Sequence, residues 1–273
     1  MALSPLGGPA AGPPRLVATD LDGTIVRSDG SVSDRTREVL LDLDGRGVPV
    51  VFVTGRPLRW MEELWSAVGA HGLAIVANGA VVYDVTTRSV RDVRGITREE
   101  GLELADLVAQ AAPGAVFAIE TVDGLRLGAG FEGRRDLPAE TPRGPLADVW
   151  DQDALKVLVR HPDLPFEGFR ESVAEALGDL ATPSWSMEGL VEVSAAGITK
   201  AATLARVSAE LGVEAVDVVA FGDMPNDLAM LGWAGTSYAM GNAHASVLEV
   251  ADHVAPTNDE DGVATVLTEL FDL

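Results

Sequence analysis

The stretch LVATDLDGT, residues 16–24, determines how the rest of the chain is interpreted. A short apolar run ends abruptly at Asp20, and a run of this length bounded by a turn signal predicts a buried strand. Asp20 and Asp22 stand two residues apart directly after that strand. In open α/β sheets, ligands bind at the carboxyl ends of the strands. The sequence therefore predicts a polar site at one edge of a buried sheet.

The following segments alternate between strand and helix patterns. The runs VPVVFV (48–53), LAIVA (73–77) and VDVVAF (216–221) predict three further buried strands. Ser33 is a predicted helix N-cap before the second strand, and Pro57 is the predicted first residue of the helix after it. Apolar strands separated by helices indicate a parallel sheet covered on both faces. We predict an α/β fold with a Rossmann-like parallel-sheet core.

The middle of the chain has a different pattern and predicts an inserted domain. It begins with a predicted hairpin over residues 81–93 and continues with strands and helices in α+β order. The βα pattern returns with a helix that starts at Lys200. We therefore expect a core made of residues 15–83 and 191–273, interrupted by an α+β domain over residues 84–190.

Composition excludes several classes of function. Among 273 residues, 42 are acidic and 20 are basic, which gives a formal charge of −22. Such a chain repels nucleic acid and anionic membrane surfaces, although a local cation can still attract a small phosphorylated ligand. The chain has no cysteine, which excludes disulfides and thiolate chemistry.

The amino-terminal residues have the composition of a tail. MALSPLGGPAAGPP, residues 1–14, is rich in proline and glycine and lacks the basic and apolar regions of a secretory signal. No stretch approaches the roughly 18 apolar residues of a membrane span. We expect a flexible tail over these residues and a cytoplasmic protein.

Polar residues follow the carboxyl ends of several predicted strands. They are Asp20, Asp22, Thr54, Lys200, Asp223, Asn226 and Asp227. Asp20, Asp22 and Asp223 would form a hard, oxygen-rich site suited to Mg²⁺. A carboxylate beside such a metal can accept a phosphoryl group, and a second can act as general acid and base. A lysine and a threonine hydroxyl can bind the phosphoryl oxygens.

Each of these residues also has an ordinary structural interpretation. An isolated Asp20–Asp22 pair would favour a solvated turn, and Lys200 alone would be taken as a surface lysine. Arg56 and Asn78 lie at the same predicted edge, where ligand contact and a turn or capping role remain equally open. The four histidines lack metal-ligand spacing, and we assign them no catalytic role.

Four segments together resemble a known family. VATDLDGTIV (17–26), VFVTGRP (51–57), GITKA (197–201) and FGDMPND (221–227) are similar to the four motifs of the haloacid dehalogenase superfamily of phosphatases. The segment Tyr238–Leu267 resembles the carboxyl-terminal pattern of its Cof-type members. The position of the insertion is similar to that of the α/β cap called class IIB.

The resemblance implies a role for each acidic residue. Asp20 would be the nucleophile and a Mg²⁺ ligand. Asp22 would be the general acid and base, with its backbone carbonyl on the metal. Asp223 would be a direct metal ligand, and Asp227 would support the metal shell through water or through Lys200.

The resemblance also implies which groups hold the phosphoryl group. Thr54, the Gly55 amide and Asn226 would bind its oxygens, and Lys200 would stabilise the charge on nucleophile and phosphate. The implied activity is Mg²⁺-dependent hydrolysis of a small phosphorylated metabolite, with a sugar phosphate as the first candidate, through an aspartyl-phosphate intermediate.

Two alternatives remain open at this point. One is a phosphomutase of the same superfamily, and the other is a catalytically silent protein that binds a phosphorylated metabolite. We expect a small phosphorylated substrate as partner, no nucleic acid or membrane, and a monomer or homodimer.

Overall fold

Two β-sheets organise the protein in the computed structural model, which describes residues 12–62, 64–65, 72–133 and 137–273. Most of the expected tail, residues 1–11, lies outside the described residues. The predicted helix after Pro57 begins with a 3₁₀ turn at Leu58–Trp60, and much of its continuation also lies outside them. Among the described helices, none is both long and apolar enough to cross a membrane.

The strands and helices are numbered in chain order. The strands are β1 (Leu16–Thr19), β2 (Val50–Val53), β3 (Leu73–Val76), β4 (Val81–Asp84), β5 (Ser89–Val93), β6 (Val116–Thr121), β7 (Gly124–Gly128), β8 (Arg143–Gly144), β9 (Lys156–Arg160), β10 (Ala181–Ser184), β11 (Val191–Ala195), β12 (Val218–Gly222), β13 (Thr236–Ala239) and β14 (His253–Val254). The helices are α1 (Asp34–Gly45), α2 (Arg98–Ala111), α3 (Leu146–Val149), α4 (Phe166–Leu177), α5 (Lys200–Glu210), α6 (Leu228–Trp233), α7 (Ala245–Leu248) and α8 (Gly262–Phe271).

The first sheet has eight strands in the order β14-β13-β12-β1-β2-β3-β4-β5. The strands from β14 to β3 are parallel, and β4 and β5 add an antiparallel hairpin at one edge. Separate apolar clusters cover the two faces. The prediction of a Rossmann-like parallel core is therefore confirmed. Because β1 lies between β12 and β2, the loops after these three strands meet at one edge.

Local sequence signals account for the helix that follows β1. The side chain of Ser33 accepts a hydrogen bond from the Thr36 amide at 3.0 Å, which caps α1 as predicted. The helix buries Val39, Leu40 and Leu43 against the first sheet. This apolar stripe follows the helical repeat, so burial and the cap both stabilise the same element.

The second sheet belongs to the inserted domain, here called the cap, and has the order β10-β11-β9-β6-β7-β8. Helices α2 and α4 pack on one face of it around a buried apolar cluster. The opposite face carries a smaller cluster that includes Ala118 and Leu158. The sequence pattern does not predict β10, because Pro183 interrupts it. The strand lies at the edge of the sheet, where proline is tolerated.

The boundaries between core and cap differ from the sequence expectation at both crossings. The expectation assigned residues 84–190 to the cap, whereas Ser89–Val93 pairs with β4 in the eight-stranded sheet. Val191–Ala195, expected in the core, pairs with β9 and β10 in the cap sheet. A local hairpin pattern does not reveal which sheet the hairpin joins, because that depends on non-local pairing. We propose to place the first boundary after β5 and the second after β11.

Packing inside the cap gives a first testable prediction. Gly101 lies on α2 against Trp150, and a Cβ atom built there would lie 1.8 Å from Trp150 Cη2. We expect Gly101→Ala to lower the free energy of unfolding by about 1–3 kcal/mol, because overpacking forces a well-packed core to shift.

Gly168→Ala is the matched control. Gly168 lies on α4, and a Cβ there would meet nothing within 4 Å. Alanine should raise the stability of this helix by up to about 1 kcal/mol. Urea denaturation of both variants tests the pair, and equal stabilities would contradict the described packing of α2 on Trp150.

Candidate active site

The loops after β1, β2 and β12 bring the predicted site residues together at one edge of the first sheet. Asp20, Thr54, Lys200, Asp223 and Asp227 are all buried there. The Asp20 amide donates to the Phe221 carbonyl at 3.0 Å, so the first and third loops are joined through their backbones. Residues far apart in the chain therefore form one cluster.

Lys200 occupies the centre of the cluster. Its Nζ atom lies 2.7 Å from Asp20 Oδ1 and 2.6 Å from Asp227 Oδ1, and the residue is 1% exposed. The lysine begins α5, where the Thr199 side chain accepts from the Ala202 amide at 3.0 Å and caps the helix. Burial opposes the charge of Lys200, but the two carboxylates outweigh it and raise the pKa of Lys200 above its usual value. The ammonium group is therefore held charged between two loops.

Asp227 links the lysine to the backbone of its own loop. Its Oδ1 atom contacts Lys200, while Oδ2 accepts from the amides of Asp223 and Met224 at 3.0 and 3.1 Å. Position 222 requires glycine, because a Cβ atom there would lie only 2.6 Å from the Cβ atom of Asp227. These contacts fix the turn that presents Asp223.

The donor set and electrostatics of the site fit a divalent cation. Carboxylate oxygens of Asp20, Asp223 and Asp227 lie within 4.8 Å of one another. Asp223 Oδ1 is buried and has no hydrogen-bond partner among the described residues. Burial, with the charge of Asp227, raises the pKa of Asp223 to about 7, and burial also raises the pKa of Asp20 well above its usual value. A hard cation such as Mg²⁺ prefers oxygen ligands and would offset this cost.

Gly23 makes room for the acidic group. Its φ angle is +73°, in the region that favours glycine, and a Cβ would lie 2.2 Å from Asp223 Oδ2. Glycine is therefore required at position 23 for two reasons, which are the positive φ angle and the space that Asp223 occupies.

Thr54, Gly55 and Asn226 lie together around Asn78. The Thr54 hydroxyl accepts from the Arg56 amide at 3.0 Å. Asn226 Nδ2 donates to Asn78 Oδ1 at 3.2 Å, and a Cβ on Gly55 would lie 2.9 Å from that same oxygen. The structure thus brings the three predicted phosphoryl-binding groups to one place. It also adds Asn78, whose backbone has a positive φ of 58°.

Asp22 lies beside the cluster, but its side chain is directed to Arg56. The guanidinium donates from Nε to Asp22 Oδ2 at 2.7 Å and from its terminal nitrogen to Oδ1 at 2.6 Å. The Asp22 side chain is 55% exposed. A reaction that uses this carboxyl group therefore requires it to leave Arg56, which the sequence did not predict.

Charged cap residues reach the core directly beside this cluster. Lys156 and Glu192 form a buried ion pair, and Lys156 Nζ also donates to the Gly55 carbonyl at 2.8 Å. Arg59 forms a two-bond ion pair with buried Glu120 of the cap, at 2.8 and 2.9 Å. The sequence interpretation missed these residues. The sequence feature that could have drawn attention to Lys156 is its position as a single charged residue in the otherwise apolar strand segment LKVLV, residues 155–159.

One aromatic contact and two side-chain hydrogen bonds lie around the site. Trp185 of the cap meets His244 of the core edge-on, with ring centroids 5.4 Å apart. Asn242 Nδ2 donates to the Gly23 carbonyl at 2.8 Å, and Asn258 Nδ2 donates to the Val26 carbonyl at 2.9 Å. The carboxyl-terminal segment therefore braces the loop that carries Asp22.

Comparison with known proteins is consistent with this arrangement. The family of haloacid dehalogenase-like hydrolases matches residues 17–267. The chain belongs to this family. The predicted resemblance is therefore confirmed, and the chain is an enzyme of the hydrolase class.

The similarity to individual relatives and to solved structures extends over almost the whole length of this hydrolase. It is 32% identical to the 5-amino-6-(5-phospho-D-ribitylamino)uracil phosphatase YcsE of Bacillus subtilis (strain 168), over 93% of this chain and 94% of that one. It is 28% identical to the pyridoxal phosphate phosphatase YbhA of Escherichia coli (strain K12), over 92% and 96%. The solved structure of the HAD subclass IIB sugar phosphatase BT4131 shares the fold, with a TM-score of 0.79, 20% identity and coverage of 95% and 100%.

The raised pKa of Asp223 predicts how the stability of the metal-free hydrolase depends on pH. The folded pKa of about 7 lies above the roughly 4 of an unfolded aspartate. Protonation of Asp223 therefore stabilises the folded state fully below about pH 4, and this stabilisation is lost as the pH rises through about 7. Relative to Asp223→Asn, which cannot ionise, the wild type should lose up to about 1.4 kcal/mol per pH unit in this window.

Urea denaturation at about pH 5 and pH 7.5, with a chelator present, measures this difference. Added Mg²⁺ should stabilise the wild type at the higher pH and stabilise Asp223→Asn less. Parallel pH profiles for the two proteins would contradict the described burial of Asp223.

Proposed function

We propose that this hydrolase is a Mg²⁺-dependent phosphatase of small phosphate monoesters, with sugar phosphates as the first substrate class to test. One observation carries the proposal: Asp20 is buried, fixed by Lys200 at 2.7 Å, and adjacent to Asp223 and Asp227 in one acidic group. A fixed carboxylate beside a cation site has the position required of a nucleophile toward phosphorus.

The metal would be held by Asp20, Asp223 and the backbone carbonyl of Asp22, with Asp227 fixing the loop behind them. The Oδ1 atom of Asp223, which has no hydrogen-bond partner in the described part of the chain, supports this assignment. Bound Mg²⁺ would neutralise the carboxylates and the phosphoryl oxygens that approach them.

In the first step, Asp20 attacks the phosphorus atom of the ester. A carboxylate oxygen of Asp20 forms the new P–O bond while the bond to the leaving-group oxygen breaks. Asp22 must first leave Arg56 and take up a proton from solvent, and it then gives that proton to the leaving-group oxygen. Thr54, the Gly55 amide and Asn226 bind the phosphoryl oxygens, while Lys200 holds Asp20 in line.

In the second step, water hydrolyses the aspartyl phosphate on Asp20. Asp22 takes a proton from the water as its oxygen bonds to phosphorus, and the bond to the Asp20 oxygen breaks. Inorganic phosphate leaves, and both carboxyl groups return to their starting states. The cap over the site limits entry of water during the first step.

The relatives support a small phosphorylated metabolite as substrate. The two curated enzymes act on a phosphoribitylamino-uracil and on pyridoxal phosphate, and the structural neighbour is named a sugar phosphatase. The names of the two curated enzymes each contain one phosphate on a small organic group. The expectations of a cytoplasmic protein and of a monomer or homodimer remain predictions.

Two contacts disfavour the phosphomutase alternative. A mutase must hold a second phosphate near the cap, yet two of the cap side chains that meet the core, Glu120 and Glu192, are carboxylates. The cation of each pair, Arg59 or Lys156, is already engaged. The complete set of catalytic groups likewise disfavours a silent binding protein.

Replacement of the nucleophile tests the proposal. Asp20→Asn keeps the shape of the side chain but removes its charge, so we expect phosphate release to fall by at least about 1,000-fold. The folded state should persist, because Lys200 keeps Asp227 as a partner. Asp34→Asn is the control and should retain full activity, because the Asp34 side chain at the start of α1 is 89% exposed.

The assay measures phosphate release from a panel of sugar phosphates, nucleotides and cofactor phosphates, with Mg²⁺ or with a chelator. Release that requires both Mg²⁺ and Asp20 is the expected result. Release by Asp20→Asn at the wild-type rate would refute the mechanism, and isomerised phosphate esters seen by phosphorus NMR would favour a mutase.

A further inference from the structure

The cap contacts the backbone of the proposed phosphoryl-binding loop through one buried cation. Lys156 on β9 is 3% exposed, and its Nζ atom lies 2.8 Å from the Gly55 carbonyl oxygen. Its charge is balanced inside the cap by Glu192 on β11, which is 4% exposed. A cation from the inserted domain therefore holds a backbone group of the core.

The same ion pair reaches the second phosphoryl-binding loop. Glu192 Oε2 accepts from Asn78 Nδ2 at 3.1 Å, and Asn78 Oδ1 accepts from Asn226 Nδ2 at 3.2 Å. A continuous series of polar contacts thus runs from Gly55 through Lys156, Glu192 and Asn78 to Asn226. Its two ends are groups that we assign to phosphoryl binding.

Lys156 fixes one end of a peptide whose other end holds the Thr54 hydroxyl. The carbonyl of the Gly55–Arg56 peptide accepts from Lys156, and its N–H donates to Thr54 Oγ1 at 3.0 Å. A peptide held at both ends has one orientation. Rotation of this peptide would break the hydrogen bond from the Arg56 amide that orients the Thr54 hydroxyl.

Stability alone does not account for this buried ion pair. Replacing a buried pair with apolar residues of similar volume is often neutral or stabilising, because desolvation offsets the attraction between the charges. Lys156 and Glu192 lie on the same face of the cap sheet as Ala118 and Leu158, where apolar residues would pack. The polar contacts that the pair makes with the core are the feature that apolar residues would not supply.

We propose that Lys156 is a positioning residue for phosphoryl transfer: from the cap it orients the Thr54–Gly55 loop, so that the phosphoryl site is complete only when the cap is docked. The proposal rests on the phosphatase function proposed above. Lys156 acts through the loop and not on the leaving group, so its effect is the same for every ester that the enzyme hydrolyses.

Arg59→Met is the matched control for Lys156→Met. Each substitution removes the cation from a buried glutamate at the contact between core and cap, Glu120 in one case and Glu192 in the other. The contact of Arg59 is with the cap carboxylate, whereas Lys156 also holds the Gly55 carbonyl. A difference between the variants therefore reports on the loop.

The experiment measures kcat and KM for p-nitrophenyl phosphate and for the best sugar phosphate of the panel. We expect Lys156→Met to lower kcat by about 10- to 100-fold on both substrates, from the loss of a hydrogen bond to a charged group. Arg59→Met should stay within about threefold of the wild type, because the hydrogen bonds of its guanidinium end on Glu120 and not on the Thr54–Gly55 loop. Lys156→Arg, which keeps the donor and charge, should recover most of the loss.

Binding of inorganic phosphate to the Mg²⁺-loaded protein, measured by calorimetry, is the second readout. Lys156→Met should weaken it by a similar factor, and Arg59→Met should leave it near the wild-type value. If Lys156→Met does not fold, the double variant Lys156→Met/Glu192→Gln, which buries no lone charge, is measured in its place.

Three results would overturn the inference. They are equal losses in Lys156→Met and Arg59→Met, a loss that differs between the two leaving groups, and unchanged kcat with unchanged phosphate affinity. Absence of turnover in the wild type would refute the proposed function instead. In that case the phosphate titration still decides the role of Lys156, since equal affinities in wild type and variant would overturn it.

Discussion

The ammonium group of Lys200, buried between Asp20 and Asp227, is the interaction on which the rest of the site depends. Asp20 follows β1, Asp227 follows β12, and Lys200 follows the whole inserted domain. A buried charge is tolerated only when it is paired, so this lysine constrains three distant parts of the chain to meet. The negative charge of the three carboxylates then exceeds the positive charge of Lys200, which fits the divalent cation proposed for this site.

The arrangement of the strands explains why a single lysine side chain can contact all of these segments. Strand β1 lies in the middle of the parallel part of the sheet, between β2 and β12, so three loops end within side-chain reach. Glycines at the tightest points leave space for carboxylates, as Gly23 does for Asp223 and Gly222 for Asp227. The fold therefore supplies position, and the charges supply the chemistry.

The cap adds a second level of control to the same edge. Its sheet buries apolar residues under α2 and α4, while the opposite face carries Lys156 and Glu192 toward the core. Charged residues inside a sheet are costly unless they have specific partners. Here the partners belong to the loops that surround the proposed phosphoryl site, so docking of the cap and order in these loops are physically linked.

The sequence by itself determined the parallel core, because apolar runs and turn residues reflect local preferences that the tertiary structure reinforces. Its motifs also singled out Asp20, Thr54, Lys200 and Asp223, which lie buried together at one edge of the first sheet. Only the tertiary structure decided that hairpin β4–β5 joins the core sheet, that Asp22 pairs with Arg56, and that Lys156 holds the Gly55 carbonyl. These are contacts between residues distant in sequence, and no local pattern encodes which strand a hairpin extends or which partner a lone buried charge will find.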